Sequence, residues 1–356
     1  MMSDELNKFR SQIDAIDEEL LKLLNQRAKL AQDIGHAKNG AVVLRPEREA
    51  QILQRLTAAN TGPLSPQSIT ALFTEIMSNC RALEEPLSVA YLGPEGTFSE
   101  EAARRRFGSA ISGSPCRSFD EVFREVESGR SKYGMVPVEN SSEGAIGHIL
   151  DLLVRSSLKV CGEVDLPVHQ CLLSRTGFEN IRTVYSHPQS LGQCHEWLNA
   201  NLPKAMRNPV SSNAEAARLA AEHPHDSAAV AGKLAGERFE VPILAANIED
   251  DPRNTTRFLV LGNQDVAASG KDKTSLVMSA ANRPGAVHDL LVPFANHGVS
   301  MSKLESRPAK SGLWEYVFFV DIEGHQADNK VAAALAELKS VAAFVKILGS
   351  YPVASV

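Results

Sequence analysis

Cysteine is scarce in this chain and has no pattern. The five, Cys80, Cys116, Cys161, Cys171 and Cys194, are odd in number, and no two stand at CxxC spacing. That argues against a zinc or disulfide framework and for a reducing compartment, so a cytoplasmic location is expected. Aromatic residues are only 6%, no basic stripe runs among them, and the net charge is −6, so no nucleic acid partner is expected. No run of about 18 apolar residues exists, hence no membrane span. The N-terminus, MMSDELNKFR, lacks a basic stretch followed by an apolar one, so no signal peptide is read. No Gly-rich turn leads into GK[ST], which argues against a nucleotide loop. No metal cluster or covalent nucleophile stands out, and no metal or cofactor is expected.

What the chain has is length. Its 356 residues, 43% apolar and 22% charged, exceed a single core, so two or three domains are expected. Residues 4–38 place Leu6, Phe9, Ile13, Ile16, Leu20, Leu23, Leu24, Leu30 and Ile34 mostly three and four apart, with neither Gly nor Pro before Gly35. This predicts one amphipathic helix. At ~1.5 Å per residue it would be on the order of 50 Å long, too long to bury its own face, so it must pack on other helices or a second chain. Pro46 suits the first turn of a second helix, and Ser65-Pro66 opens a third that reaches Leu83. Arg27 and Lys38 are eleven residues apart, on one helix face about 16 Å apart, where they can grip a small dianion. Arg10 lies roughly 25 Å from Arg27 and serves such a pocket only from a partner. A solvated charged face is the other reading that spacing alone leaves open.

Arg10, Arg27, Lys38, Arg48-Glu49 and the stretch MSNCRALE at 77–84 resemble the all-helical chorismate mutase family. The resemblance implies an intertwined helical dimer with one Arg donated across the interface. Arg27 and Arg10 of the partner subunit would clamp the two carboxylates of chorismate. Lys38 and Glu84 would hydrogen-bond the breaking ether oxygen, while Arg48 and Glu49 position the substrate and its ring hydroxyl. Position 84 holds Glu where several members have Gln, and a carboxyl donates only when protonated.

The middle of the chain alternates β and α patterns, which predicts a parallel-rich sheet with its site beyond the strand ends. Strand 88–92 runs into GPEGTFSE, where Thr97-x-x-Glu100 fits a capping box. Strand 133–138 ends in Glu139-Asn140-Ser141-Ser142, and strand 183–186 meets His187-Pro188-Gln189-Ser190. DDPRNTTRF then runs into the apolar 259–261. Pro252 disfavours helix at Asp251, which puts two hydroxyls and Arg257 at a strand mouth. Hydroxyls can donate to a leaving oxygen, and Arg can clamp a carboxylate. An Asx-type turn with a surface Arg is the plainer reading of these residues alone. Three such loops together look like a cleft for a small polar acid.

VPVENSSEG, YSHPQSLGQC and NTTRFLVLG, in that order within about 88–264, resemble prephenate dehydratase. The resemblance implies a two-lobed α/β fold similar to periplasmic binding proteins, with the cleft between the lobes. It ties Thr256 to catalysis and Arg257 to carboxylate binding. Asn140, Ser141, Ser186 and Gln189 would hydrogen-bond substrate oxygens, and Thr97 lies in the Gly-rich loop of the same site. His187, before a proline at a strand end, reads as a cap more than as the proton donor.

Residues 263–273 are polar and read as a linker. The order βαββαβ that follows is the ferredoxin-like arrangement, an α+β unit. RPGAV and ESRP resemble the ACT regulatory domain, which implies a phenylalanine site from Gly285, Ala286, Val287, Glu305, Ser306 and Arg307 between paired ACT domains. The expected domains are therefore 1–87, 88–264 and 272–353. Taken together the chain resembles the bifunctional chorismate mutase–prephenate dehydratase family. That implies conversion of chorismate to prephenate and of prephenate to phenylpyruvate, phenylalanine as effector, and a homodimer or higher homo-oligomer. A two-lobed solute binder with a sensing domain is the rival reading.

Overall fold

A computed structural model describes residues 2–37, 44–281, 283–308 and 316–354. Lys38 lies outside the described residues. The helical segment comprises α1 (Met2–Ala37), α2 (Pro46–Ala59) and α3 (Pro66–Ala82). Proline stands in the first turn of α2 and α3, where its missing N–H costs nothing, and Ser65 caps α3 by accepting from Ser68 N at 3.0 Å. Only the last third of α1 is partly covered, where it packs on α3. From Leu6 to Leu24 its apolar stripe stands in solvent, with Ile16 57% exposed. Burying one such side chain is worth about 1.5–3 kcal/mol, so this face is unsatisfied in a single chain.

The middle segment begins with β1 (Leu87–Leu92), α4 (Phe98–Phe107), β2 (Ile111–Cys116), α5 (Phe119–Glu127), β3 (Tyr133–Asn140), β4 (Gly144–Ala145), α6 (Gly147–Arg155) and β5 (Lys159–Pro167). A second lobe follows: β6 (Cys171–Leu173), β7 (Thr183–Ser186), α7 (Pro188–Gln193), α8 (His195–Asn201), β8 (Met206–Pro209), α9 (Asn213–Glu222), β9 (Ser227–Ala231), α10 (Lys233–Arg238) and β10 (Ile243–Ala245). The chain then returns to the first lobe as β11 (Thr255–Gly262). The first sheet runs β2-β1-β3-β11-β5 with β4 beside β3, and the second runs β10-β6-β9-β7-β8. Both sheets are mixed rather than parallel throughout. β11 is antiparallel to β3 and β5, and β6 is antiparallel to β9. This matters for the site, because the start of β11 then lies beside the end of β3. The edge strands β2 and β8, ISGSPC and MRNP, carry no apolar alternation, which is why the sequence pattern missed them. After β7 the chain forms two short helices, α7 and α8, divided at Cys194.

The C-terminal unit comprises β12 (Asp272–Ser279), α11 (Ala286–Asn296), β13 (Met301–Pro308), β14 (Tyr316–Glu323), α12 (Asn329–Val341) and β15 (Phe344–Pro352), with sheet order β13-β14-β12-β15. Its two helices cover one sheet face through Leu290, Phe294, Val331 and Leu335. The other face joins the first lobe in one core: Val277, Phe319, Leu348 and Tyr351 pack with Val136, Val138, Leu153 and Leu259. The approach is close enough that Gly349 rests on the Val160 backbone, with no room for a Cβ. Lys346 reaches over to donate to the Leu153 and Val154 carbonyls at 2.9 Å, satisfying the end of α6. The expected linker is likewise pinned. Val266 is buried, its carbonyl meets His325 Nε2 at 2.8 Å, and Ser269 N donates to Asp272 at 2.8 Å. Polar composition suggested a spacer, but these polar atoms are spent on local hydrogen bonds.

Candidate active sites

The stretch that opens β11 sits where the chain crosses between lobes. Asp251 forms the Asx turn, accepting from Arg253 N at 3.0 Å, and Asp250 caps α8 by accepting from Glu196 N at 3.0 Å. Residues 168–170 run alongside: Val168 N donates to Asn254 O, and Ile248 N to Gln170 O. Glu249 is buried and ties the two crossings, taking His169 Nδ1 at 2.7 Å and Gln170 N at 2.8 Å. Neither Glu249 nor Asn254 was singled out from sequence as a site residue. Only contact across the crossing reveals them.

Thr256 is the cross-strand partner of Asn140. Asn140 Nδ2 donates to Thr256 Oγ1 at 2.8 Å and to Asn254 Oδ1 at 2.9 Å, and its Oδ1 accepts from Ser142 N at 3.0 Å. All three side chains are buried, with Thr256 only 8% exposed. The threonine oxygen thus accepts from Asn140 and keeps its own hydrogen for another acceptor. Ser141 is exposed and closes the strand ends, its Oγ accepting from Thr255 N at 3.0 Å.

In the second lobe the serine loop is held from behind. Ser186 is fully buried and donates to the Val230 carbonyl at 2.7 Å. It therefore braces the loop, and the substrate contact expected of it is corrected: a hydroxyl without solvent access has no reach into a cleft. Ser190 accepts from Gln170 at 3.0 Å and from Asn213 at 2.8 Å. Since Gln170 stands two residues from Val168, this cluster lies within about 7 Å of backbone from the Asn254 contact. Gln189 is exposed, and His187 caps α7 by accepting Gln189 N at 3.3 Å, as a residue before proline was expected to.

Two further expectations change. Thr97 occupies the cap position of α4, but its hydroxyl donates to Leu92 O at 3.0 Å, and it is Gly96 N that donates to Glu100 Oε2 at 2.6 Å. Gly96 makes that geometry available: its φ of +87° strains any other residue, and a Cβ there would sit 3.3 Å from Ala235 Cα of the second lobe. Arg257 does not face the cleft. Alternation along β11 turns it away from Thr256 onto the C-terminal unit. There it meets Asp321 at 2.6 Å and Tyr351 at 3.1 Å, and it also holds Glu163 of the neighbouring β5 at 2.7 Å. Burial works against its charge, yet Tyr351, Asp321 and Glu163 outweigh it and hold its pKa above the ordinary value. The carboxylate clamp expected of Arg257 is thus corrected, because its partners are the protein's own carboxylates.

Among the helices, Glu84 lies against the bare backbone of Gly35 near the end of α1. Arg27 is half-buried and close enough to Arg81 to act on it electrostatically. Arg48 and Arg10 are exposed. Glu49 is buried and salt-bridged to Arg81 of α3 and, at 3.1 Å, to Arg106 of α4. It therefore ties α2 to the middle segment, a partner that only the packing discloses.

Family profiles match in three consecutive blocks: chorismate mutase type II over residues 9–85, prephenate dehydratase over 89–266 and the ACT domain over 274–340. The chain is 51% identical over 348 residues to a bifunctional chorismate mutase/prephenate dehydratase of Neisseria gonorrhoeae, covering 97% of this chain and 96% of that one. The chain belongs to the bifunctional chorismate mutase/prephenate dehydratase family. Its activities are those two, a mutase and a dehydratase. Among solved structures it is similar to a prephenate dehydratase from Arthrobacter aurescens in complex with L-Phe, with a TM-score of 0.68 and 33% identity over 75% of this chain and 90% of that one. It is also similar to GqqA, described as a novel type of quorum quenching acylase, with a TM-score of 0.69 and 30% identity over 75% of this chain and 98% of that one. A shared architecture does not settle chemistry, so the assignment to this family rests on the three ordered blocks and the full-length relative.

Proposed function

We propose that the dehydratase step is carried by the Thr256 hydroxyl, oriented by Asn140 and Asn254 at the crossing of the two lobes. Prephenate loses CO2 and its ring hydroxyl together, driven by aromatisation. Thr256 accepts from Asn140 and so directs its own O–H outward, where it donates to the departing hydroxyl oxygen. A hydroxyl that accepts a hydrogen bond is a stronger donor, which suits this role. Ser141, Gln189 and the start of α4 at Thr97 line the remainder of the cleft. Its fold is read as periplasmic-binding-protein-like.

In the mutase the reaction is pericyclic and needs no acid, base or nucleophile. It needs a compact conformer and positive charge where the ether oxygen gains electron density. Arg27 and Arg10 of the partner subunit clamp the carboxylates, Lys38 and Glu84 serve the ether oxygen, and Arg48 positions the ring. The exposed stripe from Leu6 to Leu24 supports a second copy as the cover for α1, giving a homodimer.

The C-terminal unit is read as a ferredoxin-like ACT domain that binds phenylalanine and restrains the dehydratase. Gly285 has the left-handed φ of +79°, and Val287 and Ser306 are exposed, as a site facing a second ACT domain requires. Boundaries at 1–87, 88–264 and 272–353 and a cytoplasmic location complete the reading. The observation that carries it is the Asn140–Thr256 bond. The test is to supply chorismate to the purified protein and follow phenylpyruvate absorbance, which should rise and should slow with added phenylalanine. A solute binder would give no product.

A further inference from the structure

Strand β13 has two faces. Lys303, Glu305 and Arg307 alternate on the half-covered face, while Leu304 and Ser306 are exposed. Lys303 Nζ meets Glu139 Oε2 at 2.5 Å. The Arg307 guanidinium lies where a Cβ of Gly147 would be and is 3.8 Å from Asp151. Glu139, near the end of β3, and Gly147, the first residue of α6, flank the segment 140–146. On the neighbouring strand, Asp321 is the cross-strand partner of Lys303, and it holds Arg257 at 2.6 Å. Arg257 is in turn the cross-strand partner of Glu139. Four residues therefore close a square between two sheets: Glu139 and Arg257 on the dehydratase, Lys303 and Asp321 on the ACT domain.

From this juxtaposition we propose that β13 and β14 position the dehydratase residues Asn140 and Thr256 through Lys303–Glu139 and Asp321–Arg257, and that phenylalanine acts on the cleft along this route. The second half rests on the reading of the ACT domain as a phenylalanine site. Glu139 and Arg257 face the ACT sheet, while Asn140 and Thr256, each one residue on or back, face the opposite way. A displacement of the square is therefore delivered to the cleft within about 3.3 Å of chain. Adhesion does not require these charges, because Val277, Phe319 and Leu348 already join the sheets in an apolar core. Partly buried ion pairs such as these contribute little net stability and are better suited to fixing register or switching. An effector that prefers one placement of β13 needs no other contact with the cleft. Arg307, expected to bind the effector, is committed to the loop side of the strand and belongs to this grip.

The experiment uses the full chain with Lys303→Met and, separately, the near-isosteric Asp321→Asn. Dehydratase kcat and KM, phenylalanine binding by calorimetry, and inhibition are measured, with mutase rate on the same sample as the folding control. The expected result is a fall of about tenfold in dehydratase kcat with KM for prephenate little changed, since misplacement by a fraction of an ångström costs rate. Phenylalanine should still bind but inhibit less. Exchanging the charges, Lys303→Glu with Glu139→Lys, should recover kcat and inhibition together. Wild-type kcat and inhibition in both single variants, or a double exchange no better than Lys303→Glu alone, would overturn the proposal. A wild-type enzyme that binds no phenylalanine would sink the effector reading and its route, and leave the positioning claim to be decided by kcat and its recovery.

Discussion

Asn140 donates its amide hydrogen to Thr256 Oγ1 across 2.8 Å, from the strand directly beside it. The two strand ends are more than a hundred residues apart in the chain, and the antiparallel return of β11 is what lays one against the other. The bond orients a hydroxyl that would otherwise rotate freely.

Thr256→Ala should lower dehydratase kcat by about 10²–10³-fold, the usual loss when one aimed donor is removed. The mutase rate of the same protein should stay at the wild-type value. Asn140→Asp replaces the donor with an acceptor and should also impair the dehydratase, whereas Thr256→Ser should retain part of the rate. Parallel assays with chorismate and with prephenate check this, and loss of both activities in a folded Thr256→Ala protein would refute separate sites.

The helical site should complement between chains. Arg10→Ala and Arg27→Ala homodimers should each lose most mutase activity. Mixed after dissociation, they should recover about a quarter of the wild-type rate, because half the dimers are hybrid and one of their two sites is intact. No recovery on verified hybrid dimers would mean that Arg10 serves its own chain or none.

Glu84 stands where several members have Gln, and Glu84→Gln supplies an amide that donates. This variant should keep the mutase rate, whereas Glu84→Ala should lower mutase kcat, with the dehydratase rate of the same sample as the folding control. A Glu84→Ala protein with wild-type mutase kcat would remove Glu84 from the reaction.

All five cysteines are buried and free. Burial pushes the Cys116 thiol up to about 11 and the Cys161 thiol up to about 12, and raises Cys171 and Cys194 as well. In the unfolded chain these thiols ionise near about 8.5. The unfolded state therefore loses protons first, and stability that is complete below about pH 8 declines as pH rises toward the folded values. Thermal melting between neutral and about pH 10 should show a falling Tm, and a thiol reagent at about pH 8 should label the native protein far more slowly than the denatured one.

Much was legible without tertiary information. The helix of 36 residues, the helix α3 and the strand β7 follow from apolar spacing and from Ser, Pro and Gly at their ends, because those signals act within one or two turns of chain. Asn140 stands out as a polar residue closing an apolar strand, and Thr256 as one opening another. Where a polar side chain turned was a different matter. Ser186 and Arg257 have the chemistry of substrate ligands, yet one is sealed behind its loop and the other faces a second sheet. The one-letter pattern says that a residue can donate or carry charge, because that is a property of the residue. Which neighbour receives it depends on strand direction and on which face a distant domain covers, and these are set only when the sheets pack.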